Sequence, residues 1–314
     1  MSSSITLGKN KSIEQSVTRK NSLEGRKNKV SFFQVLASLT KIRITFMVAV
    51  TTMVGYILFN GSFGIDLLYT CLGVFVLACG ASALNEFQER KSDKLMERTH
   101  TRPIPSGEIS PTNGLLIALG FILVGLFILW QQSLLVMYLG LLTLVWYNFV
   151  YTPLKYKFAL AILPGSLVGA LPPMIGYVAA GGDVFHFSIL SLATFLFIWQ
   201  IPHFWLLLLM YDDDYKKGGF PTLTNILSRE HISQITYIWI FTLVLSSFML
   251  PFFSLSITTV NFVLLALIGL TLLSFSFKII FQKDRMIFRN TFMYINIYAL
   301  AILLLISIDK IINA

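Results

Sequence analysis

Two clusters of oxygen-bearing side chains stand out in a 314-residue chain that is only 12% charged. In the first, Asn85, Glu89 and Asp93 recur at i, i+4 and i+8, so on a helix they form one stripe. Lys91 falls off it. Such a stripe suits Mg²⁺, which takes a few carboxylates and completes its shell with water and phosphate oxygens. A solvated helix end of mixed charge gives the same pattern. The second cluster, Asp212-Asp213-Asp214, repels itself unless cations offset it. Arg98, Arg102, Lys155 and Lys157 accompany the two clusters. Acids and bases together suggest metal ions clamping an anionic ligand, and a diphosphate is the natural one.

The elements that must position these residues are apolar. Hydrophobic residues make up 55% of the chain, which excludes disorder, a fibre, a disulfide scaffold and almost any soluble enzyme. Crossing a bilayer takes about 20 apolar residues. Runs of that kind cover Ile44–Phe59, Leu67–Phe87, Thr112–Trp130, Ser133–Thr152 and Phe158–Ala180, then Phe187–Met210, Ile232–Phe253, Val260–Phe277 and Thr291–Ile308. None contains Lys or Arg. Runs this long read as helices, because backbone groups in lipid must bond internally. The expected fold is all-α, a polytopic bundle of about nine transmembrane helices.

All 24 Lys and Arg except Lys310 fall before the first run or in alternate loops, and the opposite loops hold Asp66, Asp183 and Asp309. The positive-inside rule then puts the N-terminus in the cytoplasm and the C-terminus outside, with both acidic clusters on the cytoplasmic face. Residues 1–40 are expected to be a flexible basic arm, with 41–310 forming the membrane domain. An organellar transit peptide is the other reading of the arm, since it is basic and Ser-rich. Cys71 and Cys79 have no metal spacing and read as packing residues.

His203 lies about two turns inside the sixth run. It is either a functional group or a neutral histidine bonded to a neighbouring helix. Gly165, Gly169 and Gly176, with Pro172-Pro173, either break the fifth run or let helices approach closely.

At these residues the chain resembles the UbiA superfamily of membrane prenyltransferases. Asn85…Glu89…Asp93 followed by Met96-Glu97-Arg98-Thr99-His100-Thr101-Arg102-Pro103 is similar to the family's Asn-x-x-x-Asp-x-x-x-Asp and Met-x-Arg-Thr-x-x-Arg-Pro. Trp199–Trp205 matches the Trp-x-x-Pro-His-Phe-Trp of its haem-modifying branch, and Asp214-Tyr215 with Gly219-Phe220-Pro221 matches the segment that follows. Leu39–Arg43, Tyr151–Lys155 and Ala170–Gly176 resemble the first, fourth and fifth helix signatures. Three positions depart: Glu89 for a middle Asp, Lys91 for an acid and Ile42 for Pro.

The resemblance implies a UbiA-like fold and transfer of farnesyl from farnesyl diphosphate to the 2-vinyl group of haem b. Water addition then gives haem O for terminal oxidases. It implies Mg²⁺ on Asn85, Glu89, Asp93, Asp213 and Asp214, and diphosphate contacts from Arg43, Arg98, Arg102, Tyr151 and Lys155. His203 would meet haem. Haem A synthase and oxidase assembly factors are the implied protein partners; no nucleic acid is. The implied location is a bacterial plasma membrane, with the mitochondrial inner membrane second. The competing readings are a prenyltransferase for a quinone-precursor ring or chlorophyllide, a transporter, and a haem chaperone.

Overall fold

A computed structural model describes residues 31–253, 259–282 and 284–313. The first thirty residues of the expected arm lie outside the described residues. Residues through Ala37 group apart from Ser38–Ala314. Within the first unit, 31–37 opens a short helix, Phe32–Leu39.

Among the described residues of the second unit, nine helices are long and apolar enough to cross a membrane. They are α1 (Ile42–Phe59), α2 (Ile65–Asp93), α3 (Pro111–Gln132), α4 (Leu134–Leu154) and α5 (Ile162–Ala179). Then follow α6 (Phe187–Lys217), α7 (Arg229–Phe253), α8 (Thr259–Ile280) and α9 (Arg285–Ile312). The expected number and order of spans are met; their ends differ. With 29 and 31 residues, α2 and α6 reach about 45 Å at 1.5 Å per residue, well beyond the ~30 Å of hydrocarbon. Glu, Gln, Arg and Lys favour helix, so neither helix stops where the apolar run does. Asp93 and Asp212–Asp214 therefore ride on helix ends rather than in loops.

The same two helices are central. Of their apolar windows 61% is buried, against 28% for α3, α4 and α8, whose outer faces present residues such as Leu123, Phe127, Leu267 and Phe275. Two apolar cores result. One joins α2, α3 and α4 around Leu77, Ile122, Leu129 and Leu139. The other joins α6, α7, α8 and α9 around Phe195, Leu206, Ile240 and Ile302.

Close approach rests on glycine. A Cβ on Gly176 of α5 would stand 1.9 Å from the Thr52 carbonyl oxygen of α1, and one on Gly125 of α3 would stand 2.6 Å from the Leu77 nitrogen of α2. Small residues let membrane helices pack in this way. Chain reversal between α3 and α4 falls at Ser133, directly after Gln132. Its extended backbone ends α3, and its hydroxyl accepts the Val136 N–H, opening α4. The fifth span starts at Ile162, later than expected, and is interrupted at Ser166. Pro172 and Pro173 lie inside its second part without ending it.

Candidate active site

The α2 stripe shares one face, as the i, i+4, i+8 spacing requires, and that face is buried: Asn85, Glu89 and Asp93 are all enclosed, whereas Lys91 is exposed. Each carries its own partner. Asn85 Oδ1 accepts from Lys41 Nζ at 2.8 Å, and its Nδ2 donates to Thr152 Oγ1 at 3.2 Å. Glu89 forms an ion pair with Lys155. Asp93 Oδ2 is 2.7 Å from Arg102 Nη1, while its Oδ1 has no hydrogen-bond partner. Glu86, beside Asn85, is also buried. Its Oε1 accepts the Ile104 N–H and its Oε2 is unpartnered. It thereby pins the Arg102-Pro103 turn against α2.

Helix α4 meets α2 through a widened turn, a π-helix over Trp146–Tyr151. Pro153 has no N–H for the Phe149 carbonyl one turn back, and the turn before it opens. That turn presents Asn148 to α2, where Nδ2 donates to the Ala81 carbonyl and to Gln88 Oε1 at 3.0 and 3.1 Å. It also sets Tyr151 beneath Lys155, whose ammonium is 5.5 Å from the Tyr151 ring centre and 5.4 Å from that of Phe220. Gly165 leaves the space the Tyr151 ring occupies, since a Cβ there would lie 2.5 Å from it.

The end of α6 reaches the same place. Asp214 accepts the backbone N–H of Glu97 at 2.8 Å and of Arg98 at 3.0 Å. The Arg98 guanidinium covers the rings of Tyr211 and Tyr215. Tyr211 is where α6 leaves helical geometry (φ −130°, ψ 26°), and the Arg285 guanidinium also lies over its ring, 5.1 Å from the centre. Asp212 is buried and tied to Lys216, Thr224 and Arg229. Asp213 is exposed. Beyond them Gly219, at φ 79°, turns the chain so that Phe220 packs on Tyr156, 4.7 Å between centres. Asp93 and Asp214 thus stand at one end of the bundle, joined through residues 94–102.

Of the expected basic residues, Arg102, Lys155 and Arg98 are in this cluster, whereas Arg43 is exposed at the start of α1. Lys41 was not among them, and it is the residue of that segment that touches the stripe. It takes a left-handed backbone (φ 52°), uncommon for a side chain of its kind. Burial first, reinforced by Arg102 and Lys155, pushes its ammonium down to about 7, against the pull of Glu89 and Asp93. A lysine two positions before an arginine gives no sign of which one points inward. Glu86, Asn148 and Phe220 were likewise given no role; the adjacency of Glu86 to Asn85 and the place of Phe220 in the Gly219-Phe220-Pro221 match were the signals available.

His203 lies within α6, its Nδ1 3.0 Å from Asn296 Oδ1 on α9. A bond to a neighbouring helix, one of the two readings of this residue, is present, and its ring is flanked by Trp199 and Phe292.

No group of three or more His, Cys, Asp or Glu side chains is gathered as a metal cage among the described residues. Mg²⁺ does not require one. It is commonly held by one or two carboxylates, with phosphate oxygens and water filling the octahedron. Asp93, with a free oxygen, and Glu89 and Asn85 on the same stripe fit that mode of binding.

A membrane-spanning helical bundle with acids and bases facing one another at one end is the architecture of an intramembrane prenyltransferase. The model of the UbiA prenyltransferase family matches residues 48–298, and the chain belongs to that family. It is 38% identical over 217 residues to the protoheme IX farnesyltransferase of Geobacter sulfurreducens, covering 69% of this chain and 80% of the relative. With the protoheme IX farnesyltransferase of Oleidesulfovibrio alaskensis it shares 30% identity over 88% of this chain and 97% of the relative. Among solved structures, that of digeranylgeranylglyceryl phosphate synthase superposes with a TM-score of 0.70 at 13% identity, covering 89% of this chain and 98% of that one. A UbiA homologue from Archaeoglobus fulgidus bound to GPP and Mg²⁺ gives 0.64 at 13%, covering 88% and 99%. At such identities the likeness is one of fold.

Proposed function

We propose that this chain transfers the farnesyl group of farnesyl diphosphate to the 2-vinyl group of protohaem IX, with addition of water, yielding haem O. The observation that carries the reading is the buried stripe Asn85–Glu89–Asp93, set against Lys41, Lys155 and Arg102 at one end of an apolar bundle. The relatives' shared name and the intact Trp199–Trp205 segment support haem over a quinone-precursor ring or chlorophyllide.

In the reaction the C1–O bond of farnesyl diphosphate breaks and diphosphate leaves with the electron pair. The vinyl terminus bonds to C1, and the cation left beside the macrocycle takes up water and loses a proton. When bound, Mg²⁺ would be held by Asn85, Glu89 and Asp93 on α2, with Asp213 and Asp214 on α6 as weaker, outer contributors, and would neutralise the departing charge. Arg98, Arg102 and Lys155 hold diphosphate oxygens, with the Tyr151 hydroxyl beside them. Of the two basic residues opening α1, Lys41 is better placed for this than the exposed Arg43. Apolar walls keep water from quenching the allylic cation. Iron or a propionate of haem meets His203.

Lys and Arg on alternate loops support a cytoplasmic site, with the N-terminus inside and the C-terminus outside. The bacterial relatives favour the plasma membrane, where haem O would pass to haem A synthase or oxidase assembly.

Purified chain incubated with haem b, farnesyl diphosphate and Mg²⁺ should yield a porphyrin heavier by one farnesyl group and one hydroxyl. Unchanged porphyrin, with prenylation of an aromatic acid instead, would overturn the reading.

A further inference from the structure

We infer that Asn296 is a positioning residue for haem, fixing the His203 imidazole in the tautomer that leaves its Nε2 lone pair available to iron. The inference rests on the reading of His203 as the haem ligand.

Asn296 sits in the middle of the apolar run of α9, where a polar amide is costly unless it has work. Its Oδ1 is 3.0 Å from His203 Nδ1, and its Nδ2 donates to the Phe292 carbonyl at 2.5 Å. The second contact decides the first. Turning the amide over would bring two acceptor oxygens to that separation with no hydrogen between them. Oxygen therefore faces the imidazole, and since it can only accept, Nδ1 must carry the hydrogen.

A neutral imidazole has one N–H, so Nε2 keeps its lone pair. Metal-ligating histidines share this arrangement, the second nitrogen donating to an oxygen that sets ring orientation and raises basicity. Ring rotation is also restricted. Trp199 lies 4.8 Å from the His203 ring centre, Phe292 4.5 Å, and Phe204 meets it edge-on at 5.3 Å. A bond serving burial alone would be satisfied by either tautomer. This one admits a single tautomer, because the amide nitrogen is turned to the Phe292 carbonyl of α9 and only the oxygen faces the ring.

The test is a titration of the full chain in phospholipid nanodiscs with ferric protohaem, followed by Soret absorption and, after reduction, by resonance Raman spectra of the iron–histidine stretch. The wild type and Asn296→Asp, which keeps the acceptor, should show the histidine-ligated spectrum. Asn296→Leu should lose it, with haem affinity reduced about tenfold or more and farnesyl diphosphate affinity unchanged. His203→Ala separates the two claims. If it leaves the ligated spectrum intact, the reading of His203 fails and takes the inference with it. If it removes that spectrum while Asn296→Leu changes neither spectrum nor affinity, only the role of Asn296 is overturned. Should Asn296→Leu not be recovered folded, Asn296→Ala decides in its place, and a ligated spectrum with wild-type haem affinity overturns the inference.

Discussion

The site ends of α2 and α6 carry similar acidic residues and use them differently. On α2 the acids are buried in a row, facing long basic side chains from other segments, and Asp93 keeps an oxygen without a partner. On α6 the acids fix the chain itself. Asp212 ties down Lys216, Thr224 and Arg229, Asp214 receives the N–H groups of Glu97 and Arg98, and Asp213 faces outward. The α2 acids are the proposed metal ligands, whereas on α6 Asp214 holds Glu97 and Arg98 and Asp212 anchors Lys216, Thr224 and Arg229. Carboxylates of equal charge thus acquire different roles from what opposes them.

This contrast can be broken experimentally. Asp93→Ala should have the largest effect, lowering haem O formation by about a thousandfold or more, roughly 4 kcal/mol of transition-state stabilisation, with the folded protein still in the membrane. Product mass and membrane content measure both quantities, and near-normal turnover would reject the clamp. Lys155→Ala removes one charge-assisted contact from the anion. Its KM for farnesyl diphosphate should rise about 10- to 100-fold, and Mg²⁺ dependence should persist in a chelator titration.

Asp212→Asn should act on stability. Lys216 and Arg229 are 40% and 46% exposed, so solvent screens the pairs and the loss should be about 1–2 kcal/mol. Thermal unfolding in detergent should shift down by a few degrees, while turnover per folded molecule stays close to wild type. A large loss of turnover at unchanged stability would place Asp212 in the chemistry instead. The smallest effect is expected of Asp213→Ala, less than about tenfold in turnover because one exposed carboxylate is readily replaced by water. If it matched Asp93→Ala, the asymmetry between the two helices would vanish.

Much of this was legible before any coordinates. The runs free of Lys and Arg marked the spans because charge in hydrocarbon is costly, and i, i+4, i+8 spacing placed Asn85, Glu89 and Asp93 on one face. Helix ends were not legible: Phe87 and Met210 mark where apolarity stops, not where hydrogen bonding stops. Nor could spacing separate Asp212, Asp213 and Asp214, since consecutive helical residues point about 100° apart and each meets a different neighbour.

By itself the sequence determined how many of the described helices are long and apolar enough to cross the bilayer and which of them carry the acidic clusters, because hydropathy and helical period are local properties. Which cation answers each acid, that Lys41 rather than Arg43 turns inward, and that Asn296 meets His203 across 93 positions were decided only by tertiary packing. A contact between side chains on separate helices depends on how those helices cross. Crossing is set by the fit of whole surfaces, to which glycines such as Gly125 and Gly176 contribute as much as the polar residues they bring together.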